Sequence, residues 1–247
     1  MILTPDQQLR LEKANKKLTI NPDDVESLQR RGDLFRIGED YDNALKDFYR
    51  ANILRSNDPK TLKAIASTKR RMKDYAGALE YIELAHTLDK EDPYAIKVRG
   101  AIKIELGDIN GAMEDLNKAN AIAPDDYFTL EFLGRAKREM GMLQESLTHL
   151  NHSLKLYPDY YAFMQRGETK RDLGDLAGAL DDLNRAANLS DGDPEVLRSR
   201  SVIKDMVGDL KGARDDMNLA ATTERNRQAV IDERTKWQDG HKDKDQA

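Results

Sequence analysis

The sequence predicts an all-α solenoid, a stack of helix–turn–helix repeats rather than a globule around one centre, and three observations carry that expectation. Small residues keep a fixed period: Ala44, Ala78, Ala112, Ser146, Ala179 and Ala213 follow one another at 34, 34, 34, 33 and 34 residues. Two further series keep the same time, Ala51, Ala85, Ala119, Ser153, Ala186 and Ala220, and Gly32, Ala66, Gly100, Gly134, Gly167 and Ser201. A period of this length marks repeats that bury their apolar faces only by stacking on neighbours. Glycines at 107, 141, 174 and 208 each close a helical run, where the chain needs positive φ. Between the small residues lie larger apolar ones at helical spacing, such as Ile102, Leu106, Ile109, Met113 and Leu116.

The elements follow in order along the chain. "TPDQ" at 4–7 starts a helix, with Thr4 as cap, Pro5 in the first turn and Gln7 as capping-box partner. That helix runs through Leu18, and residues 1–24 read as a capping half-repeat. Six repeats then occupy 25–58, 59–92, 93–126, 127–159, 160–193 and 194–227, each two helices of about 14 residues joined by a tight turn. "APDD" (123–126), "YPDY" (157–160) and "DGDP" (191–194) mark where second helices end. The fourth repeat lacks one residue before Tyr160, and the second lacks the turn glycine. Residues 228–238, with Val230, Ile231 and Trp237 in a sparse apolar stripe, read as a C-terminal capping helix, and 239–247 as a disordered tail.

Composition agrees with long helices that have large solvated faces: 39% of the 247 residues are hydrophobic, only 6% aromatic and 34% charged. The absence of cysteine excludes disulfides, thiolate metal sites and a cysteine nucleophile. "MILTPDQQLR" is not a secretory leader, no apolar run is long enough to span a membrane, and an intracellular, cytoplasmic setting is expected. A net charge of -5 disfavours nucleic acid as a partner.

No catalytic constellation stands out, so no enzyme activity and no cofactor are expected. Asp181–Asp182 and Asp215–Asp216 look like general acid/base pairs until one sees that they sit 34 residues apart, at the same repeat positions as Glu114–Asp115. Recurrence in successive repeats marks a structural or solvated position. His149 and His152 have a spacing that suits a metal, yet no third ligand accompanies them, and an ordinary surface pair is favoured. No Walker lysine follows the glycines of "RGETKRDLGD".

Counted within a 34-residue unit, small residues fall at positions 8, 20 and 27. A bulky apolar residue falls at 24 (Phe48, Ile82, Leu116, Leu150, Leu183, Met217), and proline at 32 in places (Pro22, Pro124, Pro158). This pattern resembles the tetratricopeptide repeat, a helix-turn-helix unit whose copies stack into a right-handed superhelix. The family's usual Trp at position 4 is absent; Leu28, Leu62, Ile96, Leu130, Phe163 and Leu197 stand there. The resemblance implies a concave face lined by the first helices at positions 2, 5, 9 and 12. On this chain those positions give Lys60, Lys63, Arg70, Lys97, Arg135, Arg138 and Arg171 against Glu131 and Glu168, with aromatic rings at Tyr94, Phe128 and Tyr161.

A groove of basic heads and aromatic rungs would hold a partner peptide rich in acids, through bidentate Arg contacts and ring stacking. The expected function is therefore a non-catalytic protein-interaction scaffold. A competing reading covers the rings with neighbouring turns and pairs the bases inside the stack. The carboxylate clamp that holds chaperone tails is disfavoured, since no three consecutive repeats carry its residues. At position 11 stand Lys69, Lys103, Lys137, Lys170 and Lys204, a ladder for which pairing with Asp115, Asp182 and Asp216 is favoured over a polyanion such as RNA. Self-association through the terminal helices, giving a homo-oligomer, remains the other alternative.

Overall fold

The computed structural model describes residues 3–242, with side chains through Val230 and at Asp232. Thirteen helices and no strand are present among the described residues. They fall into two compact units, Met1–Pro124 and Asp125–Ala247.

The first unit contains α1 (Pro5–Ile20), α2 (Val25–Ile37), α3 (Tyr41–Leu54), α4 (Pro59–Arg71), α5 (Tyr75–Leu88), α6 (Pro93–Glu105) and α7 (Ile109–Ile122). Helix α1 begins with a complete capping box: Thr4 Oγ1 accepts from the Gln7 amide, and Gln7 Oε1 accepts from the Thr4 amide at 2.8 Å. It buries Ala14 and Leu18, and Leu18 packs with Leu28 and Ala51. On α1, Asn15 accepts from Arg31 Nη1 at 3.1 Å.

The second unit contains α8 (Tyr127–Glu139), α9 (Leu143–Leu156), α10 (Tyr160–Asp172), α11 (Leu176–Leu189), α12 (Pro194–Met206) and α13 (Leu210–Lys242). Here Asn151 and Asn184, on the second helices of repeats, receive Arg166 and Arg200 just as Asn15 receives Arg31. Helix α1 therefore plays the part of a preceding second helix, which closes the apolar edge of repeat one.

Aspartate starts nearly every helix. Asp58, Asp92, Asp126, Asp159 and Asp193 accept amides at the start of first helices, and Asp40, Asp74, Asp108, Asp175 and Asp209 do so for second helices. Within each pair the turn residue is left-handed: Gly107, Gly141, Gly174 and Gly208, but Glu39 in repeat one and Lys73 in repeat two. The absent turn glycine of repeat two thus changes no geometry; Lys73 is held at φ 62. The single-residue deletion lies in the connection, where three residues (157–159) join α9 to α10 and four (190–193) join α11 to α12.

Close approach of the paired helices explains the small residues. A Cβ placed on Gly134 would lie 2.5 Å from Leu150 Cγ, so only glycine admits Leu150, which is fully buried. The capping helix expected over 228–238 is not separate. Helix α13 continues unbroken from Leu210 to Lys242, so it takes in that segment and the first residues of the expected tail. No Gly or Pro at 221–229 stops it. Residues 243–247 and the Trp237 side chain lie outside the described residues. Among the described residues, no helix is long and apolar enough to cross a membrane.

Candidate functional site

In the first unit, the residues expected to bind a partner gather on α4 and α6. Lys60 is exposed. The Tyr94 ring lies between two ammonium groups, Lys63 Nζ at 5.5 Å and Lys97 Nζ at 5.6 Å from its centroid. Its hydroxyl shares a 2.9 Å hydrogen bond with Ser67 Oγ, and the residue is 40% exposed. Lys63 also donates to Asp92 at 2.6 Å, the N-cap of α6. Asp92 is held below the usual carboxylate range: burial opposes this, but the bonds from Lys63 and the Tyr94 amide prevail. Arg70 is half-buried at the end of α4.

In the second unit the expected residues form two neighbouring groups. Phe128 stands 4.6 Å from Phe132, which stacks on Tyr161 at 5.4 Å between centroids. Arg135 Nη1 donates to the Tyr161 hydroxyl at 3.1 Å. Beside them Arg138 reaches Glu168 at 2.9 Å and Asp172 at 3.5 Å, while Arg171 donates to the same Asp172 at 2.7 Å. Ser199 also donates to Glu168. Asp92 and Asp172, which the sequence tally of this face left out, thus join Glu168 in meeting its bases.

Glu131, counted on the groove, is instead buried at 2% exposure. It accepts from Ser153 Oγ at 3.2 Å and is hydrogen-bonded to Asp159, the N-cap of α10. Burial, and then the negative charge of Asp159, push its carboxyl up to about 9. The equivalent residues elsewhere also reach the next N-cap: Gln29 donates to Asp58 at 2.7 Å and Lys63 to Asp92. In these three repeats the fifth-position side chain thus knits successive first helices rather than simply lining a groove.

The lysine ladder is paired internally. Lys69 meets Asp74 at 2.6 Å, Lys103 meets Asp115 at 2.8 Å, Lys137 meets Glu145, Lys170 meets Asp182 at 2.8 Å and Lys204 meets Asp216 at 3.0 Å. Sequence reasoning missed the stronger partners of these acids. Arg31, Arg99, Arg166 and Arg200 each grip the aspartate 16 residues later (Asp47, Asp115, Asp182, Asp216) through two nitrogens at 2.6–2.8 Å. The signal was there to find. In repeats two and four both partners change together, to Ile65 with Tyr81 and to Leu133 with His149.

The histidines are ordinary: His149 Nδ1 lies 2.9 Å from the Glu145 carbonyl, and His152 pairs with Asp125 at 3.2 Å. No group of three or more potential metal ligands occurs among the described residues.

A tetratricopeptide-repeat profile matches residues 98–126. Among solved structures, a chain of the APC/C hetero-tetramer Cut9–Hcn1 superposes with a TM-score of 0.80 at 17% identity, over 89% of this chain and 44% of that one. This chain thus spans under half the length of that relative. A tetratricopeptide-repeat protein from Parabacteroides merdae gives 0.70 at 20% identity over 90% and 87% of the two chains. YrrB, described as having an unusual peptide-binding site, gives 0.52 at 20% over 72% and 93%. No curated protein sequence matches the chain.

Proposed function

We propose that this chain, which has the fold of tetratricopeptide-repeat proteins, is a non-catalytic scaffold holding an acidic segment of a partner protein. The observation that carries the reading is the Tyr94 ring, 40% exposed between Lys63 and Lys97, with Lys60 exposed on the same helix as Lys63. A ring fixed by Ser67 supplies apolar area at little entropic cost, and the ammonium groups beside it favour a carboxylate. Arg135 and Tyr161 offer the same pairing of cation and ring in the second unit. There Glu168 and Asp172 meet Arg138, as Asp92 meets Lys63 in the first unit. The peptide-binding site of YrrB, a relative by fold, supports the class of ligand and not its identity. An intracellular setting belongs to the same proposal.

The test is capture from a cell extract by the intact chain and by a Lys60→Glu, Tyr94→Ala variant, both shown to be helical by circular dichroism. The native chain should retain a partner that the variant loses. Raising salt from about 0.1 M to about 1 M shortens the screening length from about 10 Å to about 3 Å and should release it. Identical partners on both chains, unaffected by salt, would refute the reading.

A further inference from the structure

We propose that the cavity where α9, α10 and α11 meet binds an aryl phosphate, a phosphoryl group carried on an aromatic stem. A cation recurs on the second helices, at repeat position 26. Arg50, Lys118 and His152 stand there in repeats one, three and four. Each meets an acid placed two residues before the first helix of its repeat: Asp23, Glu91 at 2.8 Å and Asp125 at 3.2 Å. Repeats two and six carry neither partner, with Leu84 and Asn57 in one and Leu219 and Gly192 in the other. Repeat five keeps the cation, Arg185, without the acid. The residue missing before Tyr160 is the reason. Three residues join α9 to α10 where four join every other pair of repeats, and Pro158 falls where the acid would stand.

Arg185 instead covers the ring of Phe163, its guanidinium carbon 5.7 Å from the centroid. It pairs at 3.2 Å with Asp181, one turn back on α11, where both side chains are more than half exposed and the pair contributes little. Phe163 is itself an exception, since the other five repeats have Leu or Ile at that position. With Leu154 and Pro158 it gives an apolar floor to a cavity of about 470 Å³. Lys155 lines the cavity too, exposed and with no ion pair among the described residues. Its counterparts in the other repeats are Ile53, Thr87, Ala121 and Asn188. Arg166, also in the lining, has its nitrogens committed to Asp182 and Asn151. No acid lines the cavity. Asp159, the acid of the short connection, accepts the Ala162 amide at 2.9 Å and is hydrogen-bonded to Glu131.

The ligand class follows from these charges and this floor. Lys155 and Arg185 are two cations without a buried acid to share, and one of them offers a planar fork of donors. A phosphoryl group matches both, with about −1.5 to −2 charge near neutrality and three acceptor oxygens. A single carboxylate brings less charge and one oxygen fewer. An aromatic stem covers the apolar floor, which inorganic phosphate would leave bare.

The test is calorimetric titration of the intact chain with phenyl phosphate at about 0.05 M salt, where exposed charges are weakly screened. A dissociation constant at or below about 1 mM is expected, weakened at least about tenfold by Lys155→Thr with Arg185→Leu. That variant copies Thr87 and Leu84 of repeat two, and both replaced side chains are exposed, so circular dichroism should show full helicity. Lys118→Leu, which removes a cation that has its acid, should leave binding unchanged. Benzoate and inorganic phosphate should each bind at least about tenfold more weakly than phenyl phosphate. Capped phosphotyrosine sets the source: tighter binding than phenyl phosphate assigns the group to a partner protein, weaker binding to a free aryl phosphate, and both support the site. Absence of phenyl phosphate binding overturns the proposal. So does binding that survives the double variant, or benzoate or inorganic phosphate binding as tightly. The Lys60→Glu, Tyr94→Ala variant should bind phenyl phosphate as the native chain does, which separates this cavity from the partner-binding face.

Discussion

Replacing Glu131 by glutamine should stabilise the protein at neutral pH, against the usual rule that core substitutions cost stability. The Glu131 carboxyl is 2% exposed, faces Asp159, and holds its proton to about pH 9, against an ordinary value of 4.5. An acid whose folded pKa is raised contributes fully to stability below its unfolded value and loses that contribution as pH rises. Between 4.5 and about 9 the folded chain therefore binds the extra proton, and stability falls by about 1.4 kcal/mol per pH unit. At pH 7, some 2.5 units above the unfolded value, the accumulated cost is about 3 kcal/mol. Glutamine keeps a donor for Asp159 and has no proton to lose. Urea unfolding followed by circular dichroism at pH 5, 6, 7 and 8 reads the difference. The variant should gain up to about 3 kcal/mol at pH 7 and less than about 1 kcal/mol at pH 5. A difference independent of pH, or a variant less stable throughout, would refute the reasoning that Glu131 is buried and protonated.

Removing Asp182, which is fully buried between Arg166 and Lys170, should cost about 3 kcal/mol in Asp182→Ala, near the low end for a broken buried pair because both cations can turn toward water. The double change Arg166→Ile, Asp182→Tyr, which copies repeat two, should cost clearly less in the same urea assay. Gly134→Ala should lose about 1–3 kcal/mol despite alanine's higher helix propensity, because its Cβ meets Leu150; an unchanged or raised melting temperature would contradict the packing argument. Lys73→Gly should gain about 1 kcal/mol by relieving a left-handed lysine, read as a higher urea midpoint with an unchanged slope.

The expected site was legible in part. The family resemblance placed Lys63, Tyr94 and Lys97 on one face through repeat positions 2 and 5, and the structure brings both ammonium groups within 6 Å of the Tyr94 ring. It misjudged Glu131 because burial depends on which helix covers a residue, and α9 and α10 cover it through Ser153 and Asp159. Arg138 and Arg171 meet Asp172, an acid the face's tally did not count, in the manner of the competing reading that paired the bases inside the stack.

By itself the sequence determined the repeat: its period, the four glycine turns at 107, 141, 174 and 208, and which positions must be small. These are local or periodic properties, set by capping, backbone φ and helix-to-helix distance. Only the tertiary structure decided the charge map. Arg166 finds Asp182 across the turn between α10 and α11, and Lys170 joins them from one turn further along α10. Charges that look alike in composition are separated in three dimensions into those buried in pairs, such as Asp182, and those left exposed, such as Lys60.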